Sequence, residues 1–395
     1  MGRWDISKVR NCFSCVMRGK SPTYVPESRI RVINQACVYW DGIRIDNVKY
    51  QNENNADKVV FLQPQDVLIN STGTGTLGRC NVFNIEDAFI YSIDSHVTLL
   101  RPYDHINSLF VRYYFMMDET QRELYKKCVN GSTNQIELSK NQLLEFPIPV
   151  PPLDVQQKIA DVLNKASALI ELRKAQLDKL DLLIKSQFIE MFGDPATNPK
   201  GWEIGAIRDL VRDVKYGTSK PAEADGVYVY LRMNNITYSG GIDLTDLKYI
   251  NVDEKEYEKY VIRKGDLLFN RTNSKELVGK TAIFKENTPM IIAGYIIRVR
   301  TNEKANPEYI SAFLNSRYGK ELLYDMCKAI VGQANINAQE LQNIKIPITP
   351  ISLQNEFKAF VEKTEAQKSL LQKSLKKMRL NYKSLMQKCF RGEVF

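Results

Sequence analysis

Two loops rich in glycine and hydroxyl residues are the first places in this chain where chemistry could occur. Gly73-Thr74-Gly75-Thr76-Leu77-Gly78 has the G-x-G-x-x-G spacing that cradles a pyrophosphate when a helix opens at its last glycine. Ser274-Lys275-Glu276-Leu277-Val278-Gly279-Lys280-Thr281 has P-loop spacing, with serine in place of the first glycine. Phosphate cradling needs the aligned N–H groups of a helix N-terminus at that point. The next residues read instead as strand: Arg79-Cys80-Asn81-Val82-Phe83 in the first case and Ala282-Ile283-Phe284 in the second. Each loop therefore reads as a hairpin with a basic tip, ending in Gly-Arg or Gly-Lys, better suited to contacting an extended anionic partner than to holding a nucleotide.

Other catalytic constellations are missing or incomplete. The two histidines, His96 and His105, leave few candidates for general acid–base work, and there is no G-x-S-x-G elbow. Seven cysteines are an odd number for a disulfide framework. The one close pair, Cys12-x-x-Cys15, lacks the second pair or the histidines that zinc requires, so the cysteines read as reduced thiols of a cytosolic protein. An amino-methyltransferase loop needs an Asn-Pro-Pro-Tyr-like run, but the only double proline, Pro151-Pro152, lies between Val150 and Leu153. Asp253-Glu254-Lys255-Glu256 resembles a solvated face more than a nuclease site. The expectation is a binding protein with no catalytic residue, no metal and no cofactor of its own.

The net charge narrows the class of partner. Lys and Arg outnumber Asp and Glu 55 to 46, for a formal charge of +9, which favours an anionic partner; nucleic acid fits, and so would a membrane surface. No stretch approaches the roughly 20 apolar residues of a membrane span, and Met1-Gly2-Arg3-Trp4-Asp5 leads into polar sequence, so a cytoplasmic protein without membrane contact is expected. Base edges are read by paired donors and acceptors, and phosphates are held by basic and hydroxyl groups. The candidates for DNA contact are Lys20, Asn70, Ser71, Thr72, Thr74, Arg79, Ser132, Asn134 and Gln135 in the first half. In the second half they are Lys220, Asn270, Arg271, Thr272, Asn273, Ser274, Lys275, Lys280, Gln333 and Asn335.

These loops recur because the chain repeats itself at an offset of about 200 residues. Trp4-Asp5-Ile6 returns as Trp202-Glu203-Ile204, and Asp66-Val67-Leu68-Ile69-Asn70 as Asp266-Leu267-Leu268-Phe269-Asn270. The proline-rich connector Phe146 to Leu153 returns as Ile344 to Ile351, and Phe192-Gly193-Asp194 as Phe390-Arg391-Gly392-Glu393. After each connector comes a long segment without Gly or Pro. Apolar residues fall three and four apart at Ile159, Leu163, Ala166, Ile170, Leu177, Leu180, Ile184 and Met191, then at Phe357, Val361, Thr364, Leu371, Leu375, Met378, Tyr382, Leu385 and Cys389. Both segments are predicted to be amphipathic helices with coiled-coil spacing, each roughly 55 Å long and closed by Gly193 or Gly392. Two such helices can bury their stripes against each other in antiparallel pairing.

With those anchors in order, the chain resembles the specificity subunits of type I restriction-modification systems over essentially its whole length. The resemblance rests on the Trp-Glu-Ile-like starts, Gly265-Asp266-Leu267-Leu268, the Pro-Pro-Leu connector leading into Gln156, and the Phe-Arg-Gly-Glu tail. Val155 and Leu353 depart from the Glu usual before the family's Gln, and Gln65 replaces the Gly before Asp66. The expected fold is α+β, with two similar target recognition domains separated by two long antiparallel coiled-coil helices in a pseudo-twofold internal repeat. The domains are residues 1–150 and 196–350, and the spacer helices lie in 151–195 and 351–395. The resemblance implies that each domain reads one half of a split double-stranded DNA target. It also implies that two methyltransferase subunits dock on the helices, that restriction-translocase subunits can join, and that S-adenosylmethionine and ATP belong to those partners. Because the two loops differ, an asymmetric target is expected. Two other readings stay open: a stand-alone nucleotide-dependent DNA enzyme, which nucleotide binding would reveal, and a protein-only scaffold, which a gel shift would reveal.

Overall fold

Three consecutive apolar residues in a short strand, as in Val67-Leu68-Ile69, are stable only if both faces of the strand are covered. The computed structural model describes residues 4–132, 135–274, 276–327 and 334–395, without the side chains of 56–58, 132 and 135. It divides into two compact units, Met1–Lys174 with Lys373–Phe395, and Ala175–Gln372.

In the first unit, β1 (Phe13–Arg18), β2 (Val67–Asn70), β3 (Cys80–Val82) and β4 (Val97–Pro102) form an antiparallel sheet in the order β1-β4-β2-β3. One face carries α1 (Ser108–Met116) and α2 (Asp118–Cys128), and Val67 and Ile69 of β2 join a core with Phe110, Val111 and Leu124. Leu68, pointing the other way, packs with Ile33, Tyr91, Ile93 and Leu99 beneath a second, smaller sheet. That sheet contains the parallel pair Ile30–Ile33 and Ile90–Ile93. Cys12 lies in the first core and Cys15 packs against the second, so the close cysteine pair is split between two apolar environments.

A single helix, α3 (Leu153–Phe192), leaves the first unit and enters the second. The second unit repeats the plan with β5 (Val211–Tyr216), β6 (Leu267–Asn270), β7 (Thr281–Ile283) and β8 (Ile296–Thr301) in the order β5-β8-β6-β7. Helices α4 (Pro307–Asn315) and α5 (Arg317–Met326) cover one face. Leu267 and Phe269 face that core and Leu268 the other, and the parallel pair recurs as Tyr228–Leu231 with Met290–Ile292. The proline-rich connectors form strands confined to two-stranded pairs, Pro147–Pro149 with Ile6–Lys8 and Lys345–Ile348 with Glu203–Ala206, where a missing N–H is tolerated.

The last helix, α6 (Ile351–Arg391), is as long as α3. Neither contains Gly or Pro, and each is followed by a glycine at positive φ, Gly193 at 83° and Gly392 at 72°. In the first unit, Ile159 and Leu163 near the start of α3 share a core with Met386, Cys389 and Phe390 at the end of α6. In the second, Phe188 and Phe192 at the end of α3 share a core with Phe357 and Val361 near the start of α6, with Phe192 and Phe357 rings 5.5 Å apart. Within the second unit Asp181 of α3 also pairs with Lys368 of α6, so there the two helices run antiparallel. Each buried aromatic contributes on the order of 2 kcal/mol of apolar burial.

A buried glutamine fixes each long helix to its unit. Gln156 accepts the Asn107 N–H at 2.9 Å and donates to the carbonyls of His105 and Pro151. Gln354 accepts the Asn306 N–H at 2.8 Å and donates to Lys304 and Thr349. Asn107 and Asn306 are the N-caps of α1 and α4, so one side chain ties three segments together. Val155 and Leu353 pack partly buried against the neighbouring cores, which accounts for apolar residues at those positions.

Candidate nucleic-acid interface

The two loops singled out in the sequence are built on the same frame. β2 pairs antiparallel with β3, and β6 with β7, so each loop is the turn of a hairpin and a strand stands where a nucleotide loop would start a helix. Asn70 donates its N–H to Arg79 O at 2.8 Å and accepts from Gly78 at 2.9 Å; Asn270 does the same with Lys280 at 2.8 Å and Gly279 at 2.9 Å. Gly78 and Gly279 have φ of 83° and 75°. A Cβ on Gly78 would lie 2.4 Å from the Gln121 side chain, and one on Gly279 2.7 Å from Leu323. These glycines serve the turn and its packing on α2 and α5.

In the first unit, Lys20 and Thr74 are exposed, and Thr72 and Arg79 are half-buried. The Arg79 guanidinium lies 5.2 Å from the centre of the Tyr39 ring. Thr72 bonds to His96 Nδ1 at 2.8 Å and donates to Gln35 at 3.2 Å. Asn70 and Ser71 are buried: Asn70 donates its amide to Gln35 O, and Ser71 bonds to Thr98. Both side chains therefore hold the hairpin in place. Ser132 and Gln135 lie on the paired strands Val129–Ser132 and Gln135–Leu138, their side chains outside the described set, and Asn134 is outside it altogether.

In the second unit, Ser274 and Asn335 are exposed, and Arg271, Asn273 and Lys280 are half-buried. The short strands Thr272–Asn273 and Ala334–Asn335 pair antiparallel, bringing Asn335 to the hairpin. Asn335 Oδ1 accepts from Arg271 Nε and from Thr272 Oγ1, both at 3.1 Å. Asn270 is fully buried and Thr272 nearly so. Lys220 is exposed but ion-paired with Glu256 at 2.6 Å. Lys275 and Gln333 lie outside the described residues.

The structure adds neighbours that sequence reasoning missed. Arg18 at the end of β1 bonds to Ser95 O and pairs with Glu137, which bridges to Thr72. The equivalent place in the second unit holds Tyr216, whose ring lies 4.8 Å from the Arg271 guanidinium. His96 and Tyr295 are likewise equivalent, since their carbonyls accept the N–H groups of Ser71 and Arg271. Only the repeat register, Arg18 with Tyr216, His96 with Tyr295 and Glu137 with Asn335, would have found them. Behind the second hairpin, Lys320 donates to Gly279 O at 3.0 Å and lies 4.8 Å from the Tyr238 ring centre. Burial first, then the charges of Lys185 and Lys280, pull its pKa down to about 8. Burial also lowers that of Lys280.

Among the described residues no helix is long and apolar enough to cross a membrane. The family model for the type I restriction modification DNA specificity domain matches the chain twice, over residues 21–182 and 199–379. The chain is similar to the type I restriction enzyme EcoKI specificity subunit of Escherichia coli (strain K12), 24% identical over 424 residues that cover 99% of this chain and 89% of the relative. The StySPI specificity subunit of Salmonella potsdam is 23% identical, covering 94% and 86%. In fold, it is similar to a chain solved in work on complex assembly and conformational transition of the type I R-M system (TM-score 0.63, 17% identity, 100% of this chain and 98% of that one). A type I restriction-modification S subunit from M. genitalium also matches (TM-score 0.56, 14% identity, 98% and 96%). Both matched segments lead from a hairpin-bearing domain into a long helix, and the chain belongs to the family of type I restriction-modification DNA specificity subunits.

Proposed function

We propose that each unit reads one half of a split, asymmetric DNA target through its hairpin and the polar side chains around it, the chain itself carrying no catalytic group. Methyltransferase subunits dock on the exposed faces of α3 and α6, and restriction-translocase subunits join that assembly. S-adenosylmethionine and ATP belong to these partners, and the helices set the spacing between the two half-sites. Lys20, Thr72, Thr74 and Arg79 in the first unit, and Lys220, Arg271, Asn273, Ser274, Lys280 and Asn335 in the second, are the described members of the candidate set with solvent-facing surface. Buried Asn70, Ser71 and Asn270 support them from behind.

The observation that carries this reading is one frame with unlike side chains. The hairpins share their backbone bonds and turn glycines, yet equivalent positions hold Arg18 and Tyr216, His96 and Tyr295, Glu137 and Asn335. Identical scaffolds with different donors and acceptors suit the reading of two different base sequences. Genome-wide mapping of methylated sites in cells carrying the chain tests it: a two-part asymmetric motif is expected, and a palindrome would overturn it.

A further inference from the structure

Arg271 is held in a way no arginine of the first hairpin is. Its backbone N–H donates to Tyr295 O and its carbonyl accepts from Ile336, each at 2.9 Å, so the main chain is fixed on both sides. Its Nε donates to Asn335 Oδ1 at 3.1 Å, and its guanidinium lies 4.8 Å from the centre of the Tyr216 ring. Tyr216 is itself fixed, its hydroxyl accepting the Ala338 N–H at 2.8 Å. Among the described residues, neither Nη of Arg271 has a hydrogen-bond partner and no carboxylate pairs with the group. An immobilised guanidinium with its positive charge uncompensated and two parallel donors unused is prepared for a bidentate acceptor pair.

The first unit shows the contrast. Arg18, at the position of Tyr216, is occupied by Ser95 O and by the Glu137 carboxylate, which stands where Asn335 stands in the second unit. An amide in place of the carboxylate orients the arginine without neutralising it. In the major groove, the acceptor pair that matches a guanidinium fork is O6 and N7 of guanine.

Resting on the reading that the second unit recognises DNA, we infer that Arg271 is its guanine-reading residue, oriented by Asn335 and Tyr216. Asn335 and Tyr216 are positioning residues. The test is selection by the full chain from a pool of random-sequence duplex DNA, followed by sequencing, for the wild type and for R271A, R271K and N335D, with circular dichroism to compare folding. The wild type should enrich a split motif with a G·C pair in one half. R271A should lose the preference at that single position by about tenfold or more, and leave the other half-site unchanged. R271K, which keeps the charge but not the fork, should lose the same preference while binding total DNA with the same salt dependence. N335D should mimic the Arg18–Glu137 pair and erase the preference in a folded protein. If the wild type enriches a motif and R271A and R271K enrich the same one, the inference fails and the DNA-reading proposal stands. If the wild type enriches no motif, the DNA-reading proposal itself fails.

Discussion

Asp66 accepts a two-pronged bond from Arg101, Nε to Oδ1 and Nη2 to Oδ2, each at 2.8 Å. The fork recurs as Asp266 with Arg300, at 2.8 and 3.0 Å. Each aspartate also accepts a backbone N–H from three residues earlier, Gln63 at 2.7 Å and Arg263 at 2.9 Å. One carboxylate therefore closes the turn entering β2 or β6 and ties that strand to its neighbour, β4 or β8. The Asp66 side chain is fully buried while Arg101 is one-quarter exposed.

Truncating Arg101 leaves that buried carboxylate without its cation. R101A should lower the stability of the first unit by about 2–3 kcal/mol, below the full cost of breaking a deeply buried pair because water reaches the arginine side. Urea unfolding checks this. A loss under about 0.5 kcal/mol, ordinary for a surface change, would show that the fork contributes nothing to stability.

Just before Asp66, Gln65 has φ of 72°, whereas Gly265 at the equivalent place has φ of 96°. A side chain in this left-handed region costs about 1–2 kcal/mol, and glycine gives back part of that through its greater unfolded-state freedom. Gln65 recovers something by donating its amide to Asn84 at 3.1 Å. Q65G should therefore stabilise by about 0.5–1 kcal/mol, a rise of about 2 °C in melting temperature. An unchanged or lower midpoint would mean that the Asn84 bond offsets the strain.

How far the sequence was legible can be judged from these residues. The long helices and the repeat could be read because heptad spacing and the absence of Gly and Pro are local signals. The hairpin reading of the glycine loops rested on the strand-like residues after Gly78 and Gly279. Gln65 was visible as a departure, but its left-handed backbone was not, since φ leaves no mark in a side-chain pattern. Asn70, Ser71 and Asn270 look like DNA-contact residues by type, and only the fold shows that their side chains point inward. Arg18, Glu137, His96 and Tyr216 lie far in sequence from the loops they flank, so no local spacing announces them.

Phosphate contacts should separate from base contacts in salt titrations. Lys280 is half-buried at the end of the second hairpin, and Lys20 is exposed beside the first sheet. K280A and K20A should each weaken binding to all sequences alike and reduce the slope of log K against log salt by about 1. A variant whose slope equals that of the wild type removes that lysine from the interface.

Lys320 makes a pH prediction whose sign is fixed by the direction of its shift. Its pKa is about 8 in the folded chain against an ordinary 10.5. Between those values the unfolded chain still holds a proton that the folded chain has released, so stability rises with pH across that window. Below pH 8 the folded protein bears the full cost of a charged lysine packed near Lys185 and Lys280. Gln121 occupies the equivalent position in the first unit and donates the same bond, to Gly78 O at 3.1 Å, without a charge. K320Q should keep that bond and remove the cost, raising the melting temperature at pH 7 by about 2 °C, a figure reduced for the solvent that screens a partly exposed group. The advantage over the wild type should shrink as pH climbs from 8 to 10.5. Parallel melting curves for the two proteins over that range would show that Lys320 releases no proton there.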